Sequence, residues 1–207
     1  MKRLILAILV IGVLLLSACA PARISEPPIP AHFTTYTDEA GLFSISYPPD
    51  WELALSKIEG LTQDVEDYLK GIKSEGSLSG GKVVFFAGVP YETGHNPNVS
   101  VVVTPSGEGK WKLEDLVEAV VQRGYMEYAE EYHEFSRSKI VVDGKEAIIL
   151  DYEAKYPLFL GELHALTMFL RDNKLVYVVT GIVLSPKDFS DFESDLHAIV
   201  RSLRILK

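Results

Sequence analysis

Two short turn signals, Asp143-Gly144 and Asp172-Asn173, constrain what this chain can fold into more than any other feature. Each lies between runs rich in β-branched and aromatic residues. Ile140-Val141-Val142 and Ala147 to Tyr152 flank the first; Leu163 to Leu170 and Leu175 to Ile182 flank the second. Asp, Asn and Gly tolerate the positive φ angles that a tight connection needs, so each signal predicts a β-hairpin. Two hairpins in succession commit the C-terminal half to neighbouring antiparallel strands.

The same periodicity extends upstream. Phe43, Ile45 and Tyr47 alternate with Ser44 and Ser46, which predicts a half-buried strand ended by Pro48-Pro49. Val83 to Val89 and Val99 to Val103 are short β-rich runs separated by a polar loop, Glu92 to Asn98. Leu61, Val65, Tyr68, Leu69 and Ile72 keep helical spacing, with Thr62 as N-cap and Asp64 in the first turn. Leu113, Leu116, Val117, Val120, Val121 and Tyr128 predict a second apolar helix face, with Glu114 and Asp115 at its positive end. A last helix is expected from Ser185 as cap, Pro186 in the first turn and Asp188 three residues after the cap. Its buried face is Phe189, Phe192, Leu196, Ile199, Val200 and Leu203, and Arg201, Arg204 and Lys207 complement its C-terminal end. Hairpins outweigh βαβ alternation, so the fold class is α+β, a mainly antiparallel sheet with helices packed on it.

The N-terminus reads as an export leader. Lys2-Arg3 precedes an apolar run from Leu4 to Leu16, then Ser17-Ala18-Cys19-Ala20. That run is too short for the ~30 Å hydrocarbon core of a bilayer and suits a signal h-region. Ala18-Cys19-Ala20 fits an ordinary secretory cleavage after Ala20. Leu16-Ser17-Ala18-Cys19 also resembles the bacterial lipobox, which implies cleavage between Ala18 and Cys19 and acylation of the thiol. Cys19 is the only cysteine in the chain and stands where a lipobox requires it, which favours the lipoprotein reading. The expected division is residues 1–18 as signal peptide, 19–32 as lipidated cysteine and tether, and 33–207 as one domain. Pro21, Pro27, Pro28 and Pro30 give the tether its extended character.

The charge balance bears on partners. The leader removes two of 20 basic residues and none of 29 acidic ones, so the remainder is more acidic than the −9 of the whole chain. Nucleic acid is excluded as a partner on this ground, because phosphate binding draws on Lys/Arg clusters. Anionic headgroups repel such a surface, so contact with the membrane falls to the lipid anchor.

Tyr36-Thr37-Asp38-Glu39-Ala40-Gly41-Leu42-Phe43-Ser44-Ile45-Ser46-Tyr47-Pro48-Pro49-Asp50-Trp51 resembles the opening of PsbP-like domains. Asn98 to Val103 is similar to a further strand of that family, and Lys174 to Thr180 to its last strand. Phe192 to Arg204 resembles its closing helix, with Ser202-Leu203-Arg204 where the family usually has Ser-Phe-Arg. The resemblance covers residues 33 to 206. It implies an α/β/α sandwich around an antiparallel sheet and a generally non-catalytic role in assembly, stabilisation or partner binding. Family members include extrinsic photosystem II subunits and many bacterial lipoproteins; nothing in this sequence argues for photosynthesis.

Catalytic and metal templates return no match. His32, His95, His133, His164 and His197 include no pair at the i, i+4 spacing of a helical metal site. His133 among Glu130, Glu131 and Glu134 reads as a solvated acidic helix end in preference to a cation site. Glu162 and His164 share a strand face but supply only two ligands. The Thr93 to Asn98 loop is explained as a hairpin connection, and Asn98-Val99-Ser100 matches a glycosylation sequon of little weight in a bacterial-type lipoprotein. Ser79-Gly80-Gly81-Lys82 lacks the full phosphate-loop pattern, since Val83 stands at the Ser/Thr position. Asp64, Glu66 and Asp67 lack the EF-hand framework, and no Gly-x-Ser-x-Gly elbow occurs. Trp51 and Trp111 read as core or staple residues. The sequence therefore assigns no catalytic residue, metal or cofactor. Its leading reading is a membrane-anchored, non-enzymatic lipoprotein that binds or stabilises a partner complex outside the cytoplasm. The alternatives are a small-ligand or divalent-cation-binding lipoprotein and, more remotely, a hydrolase.

Overall fold

The computed structural model describes residues 29–53, 82–89, 97–106, 111–157, 161–173 and 175–206. The leader, most of the tether, the helix expected over 61–72 and most of the Thr93 to Asn98 loop lie outside the described residues. Strands β1 (Thr34–Thr37), β2 (Phe43–Tyr47), β3 (Glu52–Leu53), β4 (Lys82–Gly88) and β5 (Asn98–Pro105) precede helix α1 (Leu113–Val120). A π-helical turn, Val121–Met126, extends α1. Then come β6 (Glu131–Val142), β7 (Lys145–Tyr156), β8 (Gly161–Asp172), β9 (Leu175–Val183), α2 (Phe189–Arg201) and β10 (Arg204–Ile205).

Seven strands form one sheet in the order β3-β4-β5-β9-β8-β7-β6, and β1-β2-β10 form a smaller one. Every pairing is antiparallel. The large sheet is covered on both faces, which is why its central strands read as unbroken apolar runs. In β8 every residue from Leu163 to Leu170 is buried. Leu166, Met168 and Leu170 point to one face, where α2 and the small sheet supply Phe43, Ile45, Leu196, Ile199 and Val200. Ala165 and Phe169 point to the other, beneath Leu113, Leu116, Val117, Val120 and Val121. The α+β class and the layered antiparallel arrangement thus agree with the sequence expectation.

Both hairpins form. Asp143 (φ 51°) and Gly144 (φ 72°) make the first connection. The second lies one residue beyond the expected place: Asp172 still pairs with Leu175, and Asn173 (φ 49°) begins the turn. Asp172 keeps its ladder pair, and Lys145 holds its carboxylate at 2.9 Å.

The last helix departs from expectation at its start. Pro186–Asp188 form a 3-10 turn and the α-helix begins at Phe189. Ser185 makes no side-chain cap; its carbonyl accepts from the Asp188 N–H at 2.9 Å. Proline at the first position favours this tighter turn, which orients the backbone without a hydroxyl cap. At the other end, Ser202 ties α2 to the small sheet. Its hydroxyl accepts from the Ser46 N–H at 2.8 Å and donates to the Ile199 carbonyl at 2.6 Å. Leu203 is fully buried, and the Arg204 guanidinium donates to the carbonyls of Arg201 and Leu203. The closing Ser-Leu-Arg is therefore a structural fastening.

Candidate functional site at the β6–β7 flank

On the face that α2 covers, β7 begins apolar and turns acidic. Ala147 and Ile149 are buried beneath the α2 layer; Asp151 and Glu153, on the same face, lie where that cover ends. Register sets Glu153 opposite His164 of β8, with Asp151 opposite Leu166 beside it. His164 Nε2 lies 2.6 Å from Asp151 Oδ1 and Nδ1 lies 3.4 Å from Glu153 Oε1. Its ring lies flat against Phe189, the first residue of α2, at 3.5 Å and 2°. Phe135 stacks on it at 5.3 Å, and His133 meets Phe135 edge-on at 4.6 Å. Four rings from β6, β8 and α2 thus form a ladder that runs from the buried helix start to the half-exposed Phe135.

Phe135 takes this position through a bulge. It is the extra residue between the Glu134–Tyr152 and Ser136–Asp151 pairs. Ser136 and Ser138, on the same face, are exposed. The strip therefore combines an exposed aromatic ring, hydroxyls and two carboxylates beside an uncovered part of the sheet. Further along β8, Glu162 lines an open groove of about 680 Å³ with Lys155, Leu184 and Lys187.

The chemistry open to His164 is narrow. Nε2 is hydrogen-bonded to Asp151 and Nδ1 faces Glu153, so the ring is held in place by carboxylates of its own sheet. His197, one helix face away, has its proton affinity lowered by burial first and by Arg201 second; Glu193 and Asp151 oppose that shift. Its Nδ1 and the Nε of Arg201 are buried without a hydrogen-bond partner among the described residues.

The opposite face of β6 is an ion-pair lattice. Arg137 binds Glu134 through two bonds of 2.9 and 2.8 Å and reaches Glu118 of α1 at 2.9 Å. Those carboxylates hold the guanidinium firmly protonated, and Arg137 holds Glu118 below the usual carboxylate range. Lys139 bonds Glu114. Tyr125, Tyr132 and Tyr152 stack beside this lattice, and burial pushes all three phenols up.

The expected acidic helix end is corrected by this geometry: Glu131 to Glu134 belong to β6, whose alternation divides the cluster between faces. Glu134 turns to Arg137, whereas Glu130 and Glu131 lie 3.7 and 3.8 Å from Lys155. Among the described residues, no group of three His, Cys, Asp or Glu side chains is arranged to hold a metal ion. Trp51 is buried as expected; Trp111 is not a core residue, being 53% exposed with its carbonyl bonded by Arg171. Cys19, Ala18 and His95 lie outside the described residues, and His32 meets its neighbour Phe33 edge-on at 5.1 Å. The Asp151–His164–Glu153 cluster was missed by motif reasoning. The signal for it was the switch from apolar to acidic residues along one face of β7.

No family model matches this chain, and no curated protein does. Solved structures supply a class: an α+β sandwich built on an antiparallel sheet. The chain is similar to cyanobacterial PsbP from Synechocystis, with a TM-score of 0.53, 13% identity, and 84% of this chain and 93% of that one covered. It is also similar to the Ran-binding protein Mog1p of Saccharomyces cerevisiae, with a TM-score of 0.50, 11% identity, and 84% and 96% covered. At such identities the likeness is one of fold. Among the described residues no helix is long and apolar enough to cross a membrane.

Proposed function

We propose that this protein is an exported, lipid-anchored accessory factor whose domain binds a protein partner and performs no catalysis. The observation that carries the reading is the β6–β7 flank: an exposed phenyl ring among carboxylates and hydroxyls, with its one buried histidine held by two carboxylates. A half-exposed aromatic anchor inside a polar rim is the anatomy of a protein interface. The leader supports the location. Cys19, alone in the chain and preceded by Leu16-Ser17-Ala18, would carry the lipid, and the proline-rich segment would hold the domain off the bilayer. PsbP-like proteins, as a resemblance, point the same way.

Two measurements test this. Intact mass of the membrane-derived protein should show a mature chain beginning at acylated Cys19; an unmodified chain beginning at Pro21 would overturn the anchor. A photo-cross-linking residue in place of Glu153, on the strip but off the β6 edge, should give a discrete adduct with another envelope protein in intact cells. The same residue in place of Ser190, exposed on α2, should give none. Equal labelling from both positions, or none from either, would overturn the partner reading.

A further inference from the structure

We infer that two copies of this domain pair antiparallel through the outer edges of β6, about a twofold axis beside Phe135 and Ser136. The sheet has two unlike edges. β3 offers two residues, whereas β6 offers twelve, about 40 Å of strand whose outer side pairs with nothing among the described residues. Such an edge is a template for another strand.

The identity of that strand follows from the order of charges and from the bulge. Acidic Glu131 and Glu134 precede Phe135, and basic Arg137 and Lys139 follow it. A second copy laid antiparallel sets the acidic half of one strand against the basic half of the other; a parallel copy would set like against like. In a regular strand, residues three apart lie on opposite faces, and a twofold between 135 and 136 would oppose mismatched faces. The extra residue at Phe135 removes that mismatch. Glu134 and Arg137 share a face here, as their 2.8 Å ion pair requires. About this axis, Tyr132 and Glu134 meet Lys139 and Arg137 of the second copy on one face. His133 meets its Ser138 on the other. The two Phe135 rings, each 49% exposed, come together beside the axis and are covered. A closed, self-complementary contact of this kind makes a dimer and no filament, with the two β6–β7 strips side by side. The pairing uses the same strip as the partner reading and competes with it, because the second copy covers the Phe135 ring that a partner would need. A monomer that still cross-links its partner would remove the dimer alone, and a dimer that cross-links no other protein would remove the partner reading alone.

The test uses the full chain in native membranes and in density-matched detergent. Oxidation of the double variant His133→Cys/Ser138→Cys should give a disulfide-linked dimer at about ten times the yield of either single variant, because only the opposed pair comes within disulfide reach. The parent chain, with Cys19 alone, sets the background. In sedimentation, the unmodified chain should show a reversible monomer–dimer equilibrium. Arg137→Glu, which opposes two carboxylates, should shift it to monomer, and Glu134→Arg/Arg137→Glu should restore it, with circular dichroism confirming each fold. A monomer at every concentration, equal yields from single and double variants, or an unchanged equilibrium in Arg137→Glu would overturn the pairing.

Discussion

At the scale of single residues, the buried polar groups carry the sharpest consequences. Ser202 satisfies the Ser46 N–H across 156 residues of chain, and both residues are buried. Ser202→Ala should lower unfolding free energy by about 1–3 kcal/mol, the usual cost of stranding a buried donor, as read from denaturant midpoints. His197 gives a pH dependence. Its folded proton affinity lies below that of the unfolded chain, mainly through burial. The unfolded state then binds more protons, so this residue's contribution is intact above the ordinary histidine range and is lost as pH falls through it. His197→Gln should flatten the fall in Tm between about pH 7 and pH 5; an unchanged slope would contradict the assignment. These roles were only partly legible beforehand. Ser202 and Arg204 were visible within a closing motif whose purpose lies in long-range bonds. Asp151, Glu153 and His164 come together through register, which spacing along one strand does not contain.

Among the elements, two glycines report on geometry. Gly144 has φ +72° with open space where a Cβ would stand. Gly144→Ala should therefore cost about 1 kcal/mol from backbone conformation alone, and hydrogen exchange should rise first at the β6–β7 turn. Gly181 marks the closest approach of β9 to α2, where an added Cβ would lie 2.7 Å from Leu196 Cδ2. Gly181→Ala should destabilise by about 1–3 kcal/mol through overpacking. Combining it with Leu196→Val should cost less than the sum of the two single changes, because the shorter side chain yields the space. The strands and helices most visible in the sequence were those whose apolar period runs long enough to stand alone. The first hairpin is one case, since Asp143-Gly144 demands its turn. The helix starts were less legible: Ser185-Pro186 offered a capping pattern, and the chain took a 3-10 turn. The π-helical turn after Val120 is a tertiary adjustment that brings Tyr125 onto Tyr152. β6 was read only at its C-terminal end because a long edge strand carries charges on both faces and loses its period.

For the whole molecule, an antiparallel sheet with one helical layer on each face accounts for the apolar pattern, the buried central strands and the likeness to PsbP and Mog1p in fold. The class was legible because two hairpins leave few topologies. The small sheet was not legible from periodicity: β10 is two residues long, and its place is set by pairing with β2 and by the Ile205 N–H bonded to Asp143. Function at this scale rests on what the layers leave open. α2 covers β8 and β9 and stops short of β6, so the strip around Phe135, Asp151 and Glu153 is the surface through which the domain is proposed to act. The most direct measurement is recovery of cross-linked partner from membranes for the full chain and for its Phe135→Asp/Glu153→Lys variant, both verified as folded. The account predicts a single envelope protein recovered with the unmodified chain and reduced at least about tenfold with the variant, a loss typical of a truncated interface anchor. Equal recovery from both would contradict it.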